Sequence, residues 1–212
     1  MMKSLKGKTL YDIKIYILKK CQSHISKFFY HSYGEESVIE SPLIIRNKKK
    51  IQIGNNVTIR RAARIEVVTK YNNILYEPLL QIGDNTIIEY NFHISCASKI
   101  VIENDVLIAG NVTIVDNNHG FENIEKSILK NNLSKPRNVI IGQESFIGMG
   151  ARIMPGVKIG KHCVIGTNGV VTKDVPDYSV VAGVPSKIIK RYNFITKEWE
   201  RTNANGEFYL NK

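Results

Sequence analysis

A spacing of six constrains this chain more than any other feature. An aliphatic residue recurs at Ile141, Ile147, Ile153, Ile159, Ile165 and Val171, and again at Ile53, Ile59 and Ile65, at Ile82, Ile88 and Ile94, and at Ile102, Ile108 and Ile114. A helix repeats its faces every ~3.6 residues and a flat strand every two, so a strict six fits neither. It predicts short strands, each followed by a corner.

Two further columns test that reading. Four residues after each aliphatic stand Val57, Ala63, Thr86, Val106, Val112, Ser145, Ala151, Val157, Cys163, Gly169 and Val175, with Phe92 the bulky exception. Small side chains there fit a narrow interior. Three residues after it stand Asn56, Asn85, Asn91, Asp105, Asn111, Gly150, Gly156, His162, Asn168 and Asp174, with Ala62 and Glu144 the exceptions. Left-handed backbone costs most L-residues ~1–2 kcal/mol; Gly escapes that cost and Asn or Asp offset it, so this column marks the corner. Three strand-and-corner units close a triangular coil, and coils stacked at the ~4.8 Å strand spacing satisfy one another's backbone groups. The fold expected is all-β, a parallel β-helix with the aliphatic column along its axis. The spacing leaves the hand of the coil open.

The register lapses twice. Val115–Val139 is polar and contains Asp116, Asn117, Asn118, His119 and Gly120, which predicts a loop extruded from the prism. Val68–Leu79, with Tyr71, Asn72, Asn73 and Tyr76, is a second lapse, expected near the acceptor. Ahead of the repeats, Thr9 and Asp12 form a capping-box signal, and Ile13, Ile17, Cys21, Ile25 and Phe28 share one helical face. This amphipathic helix is expected to pack on the β-helix or a neighbouring subunit, with peripheral membrane contact, helped by its lysines, as the alternative. The chain then divides into an N-terminal helical segment (1–37), a β-helix (38–186, with loop 115–139 extruded) and a C-terminal tail (187–212) covering an end coil.

Composition narrows the partners. A length of 212 residues suits one domain with appendages. The net charge of +11 favours anionic partners, and eleven Lys and Arg against four Asp and Glu fall within residues 1–50. No aromatic-interleaved basic patch or recognition helix accompanies them, so nucleic acid is not expected. Lys3, Lys6, Lys8, Asp12, Lys14, Lys19 and Lys20 keep the start from forming an apolar span of ~20 residues. Cys21, Cys96 and Cys163 are odd in number and singly placed, reading as reduced thiols and hence a cytoplasmic location.

The run from Ile141 through Gly-Thr-Asn-Gly-Val-Val-Thr-Lys-Asp-Val-Pro (166–176) to Val-Ala-Gly-Val-Pro-Ser-Lys-Ile-Ile-Lys-Arg (181–191) resembles the hexapeptide-repeat acyltransferases. Within them it is similar to the galactoside and maltose O-acetyltransferase branch, including enzymes that acetylate bacterial surface polysaccharides. The resemblance covers about Ile82 to Arg191. It implies left-handed coils, a homotrimer with active sites between subunits, acetyl-CoA as co-substrate and no metal.

Acetyl transfer to a hydroxyl or amine needs a base for the acceptor's proton, and His titrates near neutrality. Among five histidines, His24 and His31 fall in the helical segment and His162 in the corner column. His93 should project from a flat face, where it could touch the acceptor. His119 follows Asn-Val-Thr-Ile-Val (111–115), opens the extruded loop, and matches the family's catalytic histidine. Asp116 is a candidate for orienting the imidazole or holding the acceptor, against the alternative of a local backbone cap. Asn91 lies where the acceptor face begins, although it also sits in the corner column. This chain has His119-Gly120 where the galactoside branch has His-Pro, and Asp116 to Gly120 is more similar to the surface-polysaccharide relatives, which moves the expected acceptor toward glycans; Glu89 stands where the galactoside branch places an Asn contact, so its sugar specificity does not carry over.

For CoA the resemblance places Phe146 and Met149 beside the pantetheine, Thr167 and Thr172 near the turn, and Lys173, Lys187, Lys190 and Arg191 at the phosphates. Gly148 would bring an amide to the thioester carbonyl as an oxyanion donor. The leading function is O-acetylation of a saccharide, a surface-polysaccharide precursor such as an O-antigen or capsule unit. N-acetylation of a nucleotide-linked amino sugar is the alternative, and a silent β-helix assembly subunit the non-enzyme one. A zinc hydratase needs three imidazoles, and only His93 and His119 are placed for that.

Overall fold

Each hexad folds into a short strand and a corner, and the strands stack into three sheets that form the faces of a prism. The structure is a computed structural model describing residues 9–209; residues 1–8, with Lys3, Lys6 and Lys8, and 210–212 lie outside the described residues. The first face stacks Ser32–Tyr33, Ile51–Ile53, Leu79–Ile82, Lys99–Ile102, Val139–Ile141 and Lys158–Ile159. The second begins Val38–Ile39, Thr58–Ile59, Ile87–Ile88, Leu107–Ile108, and continues through Phe146–Ile147 and Val164–Ile165 to Ser179–Gly183. The third holds Ile44–Arg46, Arg64–Val67, His93–Cys96, Thr113–Val115, Arg152–Ile153 and Val170–Val171. All pairings within the prism are parallel, the left-handed β-helix of hexapeptide repeats.

The aliphatic column fills the axis in register. Ile82, Ile102, Ile141 and Ile159 stack on one face and Ile94, Ile114, Ile153 and Val171 on another, each at most 1% exposed. Phe92 is wholly buried in the small-residue column, so the interior widens enough to hold it. The corner column takes positive φ, including both compositional exceptions, Ala62 at 64° and Glu144 at 61°. Position in the coil, more than residue type, sets the backbone there. Asp174 is the correction: it is absent from the positive-φ residues, and its carboxylate instead accepts the Lys158 N–H at 2.8 Å.

Every departure from the hexad falls at one edge. From the first to the second face, and from the second to the third, the aliphatic residues stay six apart throughout. From the third face back to the first the spacing is eight (Ile45 to Ile53), 17 (Ile65 to Ile82), eight (Ile94 to Ile102), 27 (Ile114 to Ile141) and then six (Ile153 to Ile159). Both sequence lapses therefore leave the same edge, two coils apart, roughly 10 Å along the axis.

The ends differ from expectation. Repeat strands start at Ser32, ahead of the boundary expected at 38, and His31 lies past the helix. The helix α1 (Leu10–Ser26) carries the Thr9 capping box. It docks on Val38–Ile39 through Gln22, whose side chain accepts the Ile39 N–H at 2.9 Å and donates to the Ile39 carbonyl at 3.0 Å. These bonds blunt an open sheet edge. The docking face is thus a polar one, with Ser23 buried, while Ile17, Cys21, Ile25 and Phe28 of the apolar stripe are exposed. Beyond residue 186 the tail is structured: Ser186–Asn193 and Glu198–Arg201 extend the second face as antiparallel strands, and Ile188 packs against the buried core.

Candidate active site

His119 leaves the third-face strand Thr113–Val115 at the irregular edge, and the residues between fix how. The Asp116 carboxylate is fully buried and accepts the N–H groups of Ala97 at 2.8 Å and Ser98 at 2.7 Å, plus the Asn117 amide at 2.8 Å. Its own carbonyl accepts the Arg137 N–H at 2.8 Å, which ties the loop's outgoing and returning limbs. None of these bonds reaches the imidazole. Asp116 therefore anchors the loop's root; the role of orienting His119 does not fall to it. Burial, with the adjacent Asp116 carboxylate, pushes the neighbouring Cys96 thiol up, so it stays an uncharged core group.

The loop then doubles back on itself. Gly120 N–H donates to the Asn132 carbonyl at 2.9 Å and Ser134 N–H to the Asn118 carbonyl at 3.0 Å, bracing His119 against Leu133. The partner of the imidazole comes from the other lapse. Residues Lys70–Tyr71 and Ile74–Leu75 pair as a hairpin, and the Tyr71 hydroxyl lies 3.1 Å from His119 Nδ1. Asn72 of the same hairpin donates to the Asn131 carbonyl at 3.0 Å. Two excursions that are separate in sequence thus brace each other, because both leave one edge.

Beneath them lies a cleft of about 350 Å³ lined by Arg64, Glu66, Tyr71, Ser95, Asn117 and His119, among others. The Arg64 guanidinium, 2.6 Å from the Glu66 carboxylate, holds that acid below its usual range despite partial burial. His93 projects outward from the third face as anticipated, and its Nε2 stands 3.7 Å from Glu66 without a hydrogen bond. Burial, then the nearby Arg64 charge, lowers its pKa from the ordinary value. Asn91 belongs elsewhere: it sits at the corner between the second and third faces, with φ 55°, donating to the Asn111 side chain at 2.7 Å. His162 is likewise a corner residue, paired with Glu144 at 3.3 Å and stacked with Trp199.

The residues expected at CoA fall into two groups. Phe146 projects half-exposed from the second face, and Met149 and Thr167 flank the corner between the second and third. Gly148 lies beside them, but its amide donates to the Ile165 carbonyl at 2.8 Å, so it is not a free oxyanion donor. A Cβ there would meet that same carbonyl oxygen at 2.5 Å, and close coil packing explains the glycine. Thr172, Lys173 and Lys187 line a second cleft, of about 450 Å³, at the last coil. Lys190 and Arg191 do not line it; Arg191 turns toward the Gly206 carbonyl at 3.5 Å. His119 and the Met149–Thr167 corner occupy different edges of the prism and do not meet.

A rigid parallel β-helix of six-residue units, with an imidazole held on its one irregular edge, defines the class, and known proteins agree with it. Residues 138–173 match the family described as bacterial transferase hexapeptide (six repeats). Over 175 residues, 80% of this chain and 86% of the relative, the chain is 34% identical to the Escherichia coli K12 protein named "Putative lipopolysaccharide biosynthesis O-acetyl transferase WbbJ". It is 36% identical to the galactoside O-acetyltransferase of the same organism over 118 residues, 56% of this chain and 57% of that one. Among solved structures, the hexapeptide-repeat acetyltransferase VCA0836 of Vibrio cholerae, complexed with acetyl-CoA, has a similar fold. Its TM-score is 0.56 at 17% identity, covering 89% of this chain and 92% of that one. The chain belongs to the hexapeptide-repeat acyltransferases and is an acetyltransferase of that family.

Proposed function

We propose that the protein moves an acetyl group from acetyl-CoA to a hydroxyl of a saccharide, a precursor of a surface polysaccharide, with His119 as general base. The observation that carries this reading is the Tyr71–His119 contact at the mouth of the polar cleft. With the imidazole proton on Nδ1 and donated to the Tyr71 oxygen, the Nε2 lone pair is left to accept a proton, and that bond orients the ring. The acceptor hydroxyl gives its proton to Nε2 as its oxygen attacks the thioester carbonyl. The tetrahedral oxyanion then collapses, the C–S bond breaks, and the imidazolium returns the proton to the departing CoA thiolate. Ser95, whose hydroxyl accepts the Asn117 amide at 3.1 Å, lines the cleft beside the base as a candidate sugar contact.

The relatives named for O-acetyl transfer support the hydroxyl acceptor, one of them for lipopolysaccharide biosynthesis. Acetyl-CoA is the ligand of the similarly folded VCA0836. Since His119 and the Met149–Thr167 corner stand at different edges, the reading has three copies around an axis, one copy's His119 facing another's pantetheine corner. Purified protein incubated with acetyl-CoA and a panel of sugars, nucleotide amino sugars and glycan fragments, with free thiol followed over time, tests it. Turnover on hydroxyl acceptors is expected; turnover confined to amino groups would replace O-acetylation by N-acetylation.

A further inference from the structure

The His119 cleft does not end at the sugar-sized space beside the base. Asn47 and Thr69, whose side chains are hydrogen-bonded at 3.2 Å, line it and also line a neighbouring, shallower hollow of about 550 Å³, so the two adjoin. The hollow has a different chemistry. Its apolar wall is Phe29, 56% exposed, with the half-buried Ile45, and its rim is Lys48, Lys49 and Lys50. The His119 cleft beside it is lined by Arg46, Arg64 and Lys70. Two carboxylates pair with these six cations, Glu66 with the two arginines and Glu77 with Lys50. The two adjoining cavities together therefore keep a surplus of four positive charges, which complements an anion lying between a polar end and an apolar end.

The geometry points to an acceptor sugar carried on a lipid phosphate: the sugar beside His119, the phosphate or diphosphate over Arg46, Arg64 and Lys70, and the apolar chain against Phe29 and Ile45. Arg matches phosphate oxygens in a fork and tolerates partial desolvation. Lysines bordering an apolar wall suit a chain that enters from a membrane surface, since their stems cover apolar area while their ammonium groups face phosphates. The inference rests on the proposed reading only in placing the sugar at His119; the remaining contacts stand on the cations and the apolar wall.

Binding separates it from the catalytic reading. The full-length protein is titrated with geranyl diphosphate, inorganic pyrophosphate and the neutral detergent dodecyl maltoside, without acetyl-CoA. Geranyl diphosphate is expected to bind at least tenfold more tightly than either of the others. The triple variant Lys48→Ala/Lys49→Ala/Lys50→Ala, and separately Arg46→Ala/Arg64→Ala, should each lose at least tenfold, while His119→Ala changes nothing. Equal binding of all three probes overturns the inference. So does displacement of geranyl diphosphate by adenosine 3′,5′-diphosphate, because the cations would then serve the phosphates of CoA. Acetyl transfer to free sugars can persist in either case and bears only on the catalytic reading.

Discussion

The coils from Val139 to Val175 and those from Ser32 to Val115 are built from the same hexad, yet they carry different things. In the later coils the aliphatic residues stay six apart from Ile141 to Val171, and the cavities they border are a cleft at the end of the stack and a hollow on the first face between Ile140 and Lys161. In the earlier coils, every return from the third face to the first adds residues, and two of those additions grow into the Tyr71 hairpin and the His119 loop. Regular coils cannot bring two side chains together from distant points, since each residue repeats the orientation of the one a coil below. Insertions confined to one edge can, because they rise side by side from a rigid wall.

If regular coils supply rigidity and the irregular edge supplies chemistry, substitutions in the two regions should separate stability from turnover. The largest effect on stability belongs to Ile159→Ala, which empties a wholly buried position of the axial column and should cost about 2–5 kcal/mol in denaturant unfolding. Activity per folded molecule should hold. Tyr71→Phe should do the reverse: kcat falls about tenfold, equivalent to ~1.4 kcal/mol of barrier, with KM and the unfolding midpoint nearly unchanged. A combined loss of stability and activity there would merge the two regions' roles.

Smaller changes probe the corners and the third face. Ala62 holds φ 64° at a half-buried turn, so Ala62→Gly should raise stability by up to about 1 kcal/mol in the same unfolding assay. The smallest effect is a pH dependence at His93. Its folded pKa is lowered by burial and then by Arg64, so between that value and the ordinary one near 6.5 the unfolded chain binds more protons. The contribution is fully present above the unfolded value and is lost as the pH falls through the folded one. Melting curves across that window should decline less steeply for His93→Gln than for the parent.

Much of this was legible beforehand because a steric column leaves a mark at every repeat. The axial isoleucines, the corner φ values and the two lapses at Val68 and Val115 all follow from positions that recur. Even the corner's exceptions obeyed the backbone, whereas Asp174 looked like a corner residue and proved to be a cap on Lys158. The site was less legible because its contacts join residues 48 apart whose meeting depends on which edge each excursion leaves. Counting residues between successive aliphatics by face would have put both at one edge. Nothing in the spacing would have revealed that the Gly148 amide is taken by Ile165, or that Asp116 faces Ala97 and Ser98, away from His119.

The imidazole on the irregular edge is the centre of the account, and one comparison tests it most directly. Acetyl transfer from acetyl-CoA to the best hydroxyl acceptor is followed by thiol release for the parent and for His119→Ala, with oligomer size measured on the same samples. The expected result is a loss of at least about 10²-fold in kcat, with the oligomer size and the unfolding midpoint unchanged, since the side chain is exposed and among the described residues bonds only Tyr71. Near-parental turnover in an intact His119→Ala assembly would contradict it.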